Sequence, residues 1–78
     1  MATREIVLTS TPQQITSKAG YVQALGSQVF NFAFSTTAPT NLAICHTDNK
    51  IYHDGTLGNM WAWKTATAKC TVSISEVV

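Results

Sequence analysis

The stretch QVFNFAFS, residues 28–35, decides the fold class of this chain. Its three phenylalanines, Phe30, Phe32 and Phe34, stand at every second position, with smaller side chains between them. Successive side chains of a β-strand point to opposite faces of its sheet, so this spacing predicts a strand with one aromatic face. We therefore predict that this stretch is a core strand of an all-β protein.

Apolar and polar residues also alternate upstream of this stretch. REIVLTS (residues 4–10) alternates weakly, and Pro12 soon afterwards predicts that this strand is an edge strand or ends before a turn. YVQAL (residues 21–25) predicts a second short strand, which Gly26 closes. Both predictions agree with the period of two in the phenylalanine stretch.

Downstream of the phenylalanine stretch, short runs alternate with turn signals. HTDNK (residues 46–50) is typical of a turn, IYH (residues 51–53) of a short strand, and DGTLGN (residues 54–59) of a loop. The last third predicts a hairpin of MWAWK and CTVSISEVV, with a turn over residues 65–69. In its second strand, one face is apolar and the other carries Thr and Ser.

No segment shows the periodicity of a helix over three turns. Short strands separated by turn signals every eight to twelve residues are typical of sandwiches and barrels. The sequence therefore predicts a single domain over residues 1–78, a small antiparallel β-sandwich or barrel of about six to eight short strands.

The composition indicates an uncharged surface. The 78 residues are 45% hydrophobic and only 12% charged, whereas an average globular domain is roughly 25% charged. A chain of this length buries only about 60% of the surface that its unfolded form exposes. Thr, Ser and apolar side chains must therefore cover much of the outside, which favours a surface that becomes buried against another protein.

Charge and hydropathy argue against several classes of partner. The net charge is +1 and the basic residues are scattered, so the chain lacks the basic patch that nucleic-acid binding requires. Its apolar runs are far shorter than the ~20 residues that span a membrane, and its start does not resemble a secretion signal. We expect no nucleic-acid or membrane partner, and synthesis in a cytoplasm.

Two groups of residues could carry chemistry. Cys45 and Cys70 match no zinc spacing, and their apolar surroundings favour buried thiols, with a disulfide left open. His46, Asp48 and the pair His53-Asp54 contain metal-capable ligands. Solvated loops or local hydrogen bonding are the favoured interpretation, over a metal site or a pH-sensitive contact at an oligomer interface. No catalytic motif is present, so we expect neither an enzyme nor a cofactor.

Trp61 and Trp63 are the most suggestive side chains. On a strand they share one face, and Met60 and Ala62 share the other. Three interpretations of the indoles remain open: sandwich core, protein interface, or a platform for sugar stacking. The candidate interface residues are Trp61, Trp63, Tyr52 and Met60, and Tyr21 joins Tyr52 as an aromatic residue available for a protein interface or a sugar platform.

The edges of the predicted sheets bear on assembly. The sequence lacks the charged residues that usually protect edge strands from pairing with other chains. Closed symmetric association would cover such edges, so we expect a homo-oligomer.

Four segments carry a resemblance to a known group of proteins: TSTPQQIT, YVQALGSQVFNFAFSTTAPT, YHDGTLGNMWAW and CTVSISE. In this order the chain resembles small bacteriophage virion structural proteins of the capsid decoration or tail-associated type. The resemblance implies a location in the virion and a major capsid protein or a tail protein as partner. It also favours a trimer, because decoration proteins often occupy threefold positions of the shell.

Two functions follow from this resemblance. The first is a capsid decoration, or cementing, protein that binds between shell subunits as a symmetric oligomer. The second is a tail or head-fibre module that binds host-surface carbohydrate through Trp61, Trp63 and Tyr52, with loop residues such as Asp54 and Asn59.

Overall fold

The computed structural model describes residues 2–26, 28–65, 67 and 69–76. These residues form eight strands and no helix. The strands are β1 (Ala2–Leu8), β2 (Gln13–Thr16), β3 (Gly20–Ala24), β4 (Phe30–Phe34), β5 (His46–Asp48), β6 (Lys50–His53), β7 (Met60–Trp63) and β8 (Cys70–Glu76).

The strands form two antiparallel sheets of four. Sheet 1 has the order β1-β8-β3-β6, and sheet 2 has the order β2-β7-β4-β5. Apart from β4 and β5, strands that follow one another in the described chain lie in different sheets, so the chain passes repeatedly between the two layers. The predicted fold class is confirmed, as a small β-sandwich of eight strands.

The core lies between the inner faces of the two sheets. Sheet 1 contributes alternate residues of β8 and β3, of which Val22, Val72 and Ile74 are completely buried. Sheet 2 contributes Phe30 and Phe32 of β4, with their rings tilted at a centroid distance of 5.5 Å. The alternation read from the sequence of β4 and β8 therefore predicted the inner faces of the central strands correctly.

The hairpin predicted for the last third of the chain is wrong. β7 pairs with β2 and β4 in sheet 2, whereas β8 pairs with β1 and β3 in sheet 1. The connection between β7 and β8 therefore crosses from one layer to the other. Residues 66 and 68 of the predicted turn and residues 77 and 78 of the predicted strand lie outside the described residues.

The turn predicted over residues 46–50 is also wrong. Residues 46–48 form β5, a short exposed strand that pairs with β4, with Thr47 opposite Asn31. The Thr47 hydroxyl donates a hydrogen bond of 2.7 Å to Asn31 Oδ1. Asn49 then separates β5 from β6, where the chain changes sheets. The predicted short strand at residues 51–53 is confirmed within β6.

One side of the sandwich, where β1 and β2 form the sheet edges, is closed by polar contacts. Arg4 lies opposite Ile74 and so belongs to the inner face of β1. Its guanidinium donates to the Ile15 carbonyl of β2 and pairs with Glu76, which also accepts a hydrogen bond from the Thr16 hydroxyl. An inward-pointing charge on an edge strand opposes pairing with another chain. Strand β1 is thus the predicted edge strand, but it does carry a charged guard.

Candidate functional site

The outer face of sheet 1 is a broad surface with balanced charge. Its side chains align across the strands in three rows, because the registers of the neighbouring strand pairs coincide. We call this surface the neutral face; its rows are Val7-Thr71-Leu25, Glu5-Ser73-Gln23-Lys50 and Thr3-Ser75-Tyr21-Tyr52.

The two outer rows of the neutral face expose apolar and aromatic side chains. Tyr52 is 65% exposed and Val7 is 50% exposed, at opposite ends of the sheet. In the central row, Glu5 and Lys50 stand on the two edge strands, so their charges balance across the sheet. The face can therefore cover a neutral partner surface without a large desolvation cost.

The side of the sandwich opposite the Arg4 contacts is open. Here β5 and β6 are the edge strands of their sheets, and two adjoining grooves of about 360 and 280 Å³ share Phe34 and Leu57 in their lining. Ile44 is 72% exposed and Leu57 is 64% exposed beside these grooves. We call this region, with edge strand β6, the open side.

His53 lies beneath the open side. Its side chain is buried, and its ring centroid lies 5.6 Å from that of Phe34 in the other sheet. Neither ring nitrogen has a hydrogen-bond partner among the described residues. Burial lowers the pKa of His53, against the opposing influence of Asp54 and Glu76. The imidazole is therefore uncharged near neutral pH and packs against Phe34.

The histidines and aspartates of the predicted loop group serve separate structural purposes. His46 packs on Phe32 in sheet 2, with ring centroids 5.4 Å apart. Asp54 accepts hydrogen bonds from the backbone and hydroxyl of Thr56, and these bonds lower its pKa. Among the described residues, no group of three or more His, Cys, Asp or Glu side chains could hold a metal ion.

The two tryptophans occupy the outer face of sheet 2, because Met60 and Ala62 take the inner face of β7. Trp61 is half-buried, and its Nε1 donates a 3.0 Å hydrogen bond to the Ser35 carbonyl. Trp63 is completely buried, so the chain closes over this outer face. The indoles therefore do not form an exposed platform on which a sugar could stack.

Only two of the four candidate interface residues have exposed surface in this fold. Tyr52 is exposed on the neutral face, and Trp61 is partly accessible on the other sheet. Met60 and Trp63 have no exposed surface, so neither side chain can contact a partner in this conformation. Tyr21, which the sequence also offered for an interface, lies on the neutral face with Leu25. Leu25 was not selected from the sequence; its alternation with Val22 and Ala24 was the available signal.

Both cysteines are free thiols. Cys70 is buried in the core, and its Sγ donates a long 3.7 Å hydrogen bond to the Val29 carbonyl. Burial raises the pKa of the Cys70 thiol, which keeps it protonated and unreactive near neutral pH. Cys45 is half-buried beside the open side. The favoured interpretation of buried thiols thus applies fully to Cys70.

No family model, curated protein or solved structure matched this chain. Among the described residues, no helix is long and apolar enough to cross a membrane. The fold places this chain in the class of small antiparallel β-sandwiches. The neutral face and the open side are the candidate contact surfaces of this protein.

Acid should destabilise this protein in two steps. The pKa of His53 lies below its ordinary value of 6.5, so its contribution to stability is complete above pH 6.5 and is lost as pH falls below that value. Hydrogen bonds from Thr16 and then Arg4 hold the pKa of Glu76 below 4.5, so its contribution is lost as pH falls below 4.5. Urea unfolding at a series of pH values measures both steps.

Two single variants separate these steps. We expect His53→Phe to remove the upper step because Phe does not titrate. We expect Glu76→Gln to reduce the lower step at the cost of the Arg4 ion pair, while Asp54, whose pKa is also lowered, keeps its smaller part of that step. If the upper step persists unchanged in His53→Phe, another group causes it and our account of His53 is wrong.

Proposed function

We propose that this protein is a non-enzymatic structural component of a bacteriophage particle, which binds the capsid shell as a symmetric oligomer. The neutral face carries this proposal: four strands present aligned rows of Thr, Ser and Tyr side chains with apolar ends and balanced charge. The resemblance of the sequence to small virion proteins supports the choice of a bacteriophage shell as partner.

The physical mechanism is the burial of additional surface at joints between shell subunits. A body of 33 × 27 × 15 Å is flat enough to lie against a shell on one sheet. Each copy contributes modest contacts, and attachment through several copies of one oligomer multiplies them because later contacts form within one complex. Such a cement would resist the pressure of packed DNA without any chemical step.

The abundance of the protein in purified particles tests this proposal. We expect quantitative mass spectrometry to find hundreds of copies in each particle of the bacteriophage that encodes it, since decoration requires occupation of many equivalent joints. A handful of copies confined to the tail would favour a tail component, and absence from particles would contradict the proposal.

Two matched variants locate the contact. Gln23 lies in the central row of the neutral face, and Gln14 is an exposed glutamine on the outer face of sheet 2. We expect Gln23→Lys to reduce co-sedimentation with stripped shells at least tenfold, because it places an unpaired charge within the contact. Gln14→Lys should bind as the unchanged protein does. Equal binding by both variants would exclude the neutral face.

A further inference from the structure

We propose that two copies of this chain pair edge to edge through β6, related by a twofold axis that passes beside Tyr52. The two copies of sheet 1 then form one continuous sheet of eight strands, and their neutral faces join into one surface. This inference rests on the symmetric oligomer of the proposed function and specifies which contact forms it.

The backbone of β6 limits how a second strand can pair with it. The Ala24 amide donates to the Asn49 carbonyl, so Asn49, Ile51 and His53 direct their backbone groups towards β3. The amide and carbonyl of Lys50 and Tyr52 consequently point away from sheet 1. A second copy of β6 must therefore match outward residues with outward residues, which permits few registers.

Side-chain chemistry selects one of these registers. With Lys50 opposite Lys50 of the second copy, like charges meet and the strands hardly overlap. With Lys50 opposite Tyr52, residues 50–52 of each β6 overlap, but Lys50 faces no opposite charge. With Tyr52 opposite Tyr52, residues 51–53 of each β6 overlap, and each Lys50 lies opposite the oppositely charged Asp54 of the second copy.

The selected register also covers apolar surface at the open side. Ile51 lies opposite His53 of the second copy, next to the groove formed with Phe34 and Leu57. A stable interface requires about 800 Å² from each partner, between a sixth and a fifth of the 4554 Å² surface of this chain. Backbone pairing over one short strand cannot supply that area, but the exposed Tyr52, Ile44 and Leu57 extend the same region.

The other edges are less suited to this contact. The edges β1 and β2 are occupied by the inward-pointing Arg4 of β1, which is engaged with Glu76 and with the Ile15 carbonyl of β2. β5 has three residues, and all are exposed. β6 therefore combines the outward backbone groups of an edge strand with adjoining apolar surface and a self-complementary pair of charges.

Cysteine cross-linking tests the register directly. Directly opposed residues in a hydrogen-bonded antiparallel pair have Cα atoms about 5.5 Å apart, within the range that a disulfide spans. We expect Tyr52→Cys to form a covalent dimer under mild oxidation. Tyr21→Cys, on the same face but one strand further from the axis, should remain uncross-linked, as should the unchanged protein with its Cys45 and Cys70.

Light scattering during size-exclusion chromatography tests the unmodified contact. We expect a mass of two chains, twice 8.4 kDa, that dissociates on dilution. Tyr52→Lys places like charges at the axis and should raise the dissociation constant at least tenfold, whereas Tyr21→Lys should leave it within twofold. A trimer, a monomer at millimolar concentration, or failure of Tyr52→Cys to cross-link would overturn the inference.

The same preparations distinguish this inference from the proposed function. A monomer that still co-sediments with shells would overturn the β6 pairing and leave the structural role standing. A dimer with the expected cross-link that binds no shell would support the pairing and contradict the role in the particle.

Discussion

Trp63→Ala should lower the free energy of unfolding by about 3–5 kcal/mol, the usual cost of deleting a buried aromatic side chain. The Trp63 side chain is completely buried on the outer face of sheet 2, and its removal leaves a cavity between that face and the chain that covers it. A domain of this size has only about 4–12 kcal/mol of stability in total. We therefore expect the variant to be largely unfolded at moderate urea concentrations, as circular dichroism would measure.

Trp63→Phe provides the matched measurement if the alanine variant does not fold. It keeps most of the buried ring and removes an indole Nε1–H that has no partner among the described residues. Because a buried unpaired donor costs about 1–3 kcal/mol, its removal offsets part of the lost packing. We expect less than half the effect of Trp63→Ala. Losses below about 1 kcal/mol in both variants would show that Trp63 contributes little to stability.

The sequence predicted the strands that have one face in the core and the other face outside it. β4 and β8 lie in the middle of their sheets, with one face in the core, so their apolar residues alternate. β5 is a short edge strand with every residue exposed, so its sequence shows no alternation of apolar and polar residues. Pairing with β4 stabilises it, and this pairing between two strands cannot be read from the composition of β5 alone.

The pairing of strands was not predictable for a related reason. Alternation shows that β7 and β8 are strands, but it does not show which sheet each one joins. The indoles illustrate the same limit: Trp61 and Trp63 were correctly placed on one face, but the smaller Met60 and Ala62 occupy the core side. The neutral face likewise depends on the alignment of four strands, which are separated in the sequence by strands of the other sheet.

Gly20→Ala, which adds one methyl group to β3, should destabilise the fold strongly. A Cβ atom at Gly20 would lie 2.5 Å from the backbone oxygen of Ser75 and 3.1 Å from Glu76 Cα. Backbone atoms of the central strand β8 cannot move aside as a flexible side chain can, so β3 and β8 must separate where they now pair. We expect a loss of about 2–3 kcal/mol in urea unfolding, as for overpacked core sites.

Gly58→Ala is the control that separates this close approach from backbone strain. Gly58 has a φ of +91° and open space within 4 Å of the point where a Cβ atom would lie, so the added methyl group costs only the conformational penalty, about 1–2 kcal/mol. Gly20 lies opposite Glu76 in the pairing of β3 with β8, so an added methyl group should displace the Glu76 carboxylate from Thr16 and Arg4. We therefore expect Gly20→Ala also to weaken the loss of stability below pH 4.5 that Glu76 causes. Gly58→Ala should keep that loss. An unchanged acid step in Gly20→Ala, with stability within about 0.5 kcal/mol of the original protein, would contradict the close packing of β3 against β8.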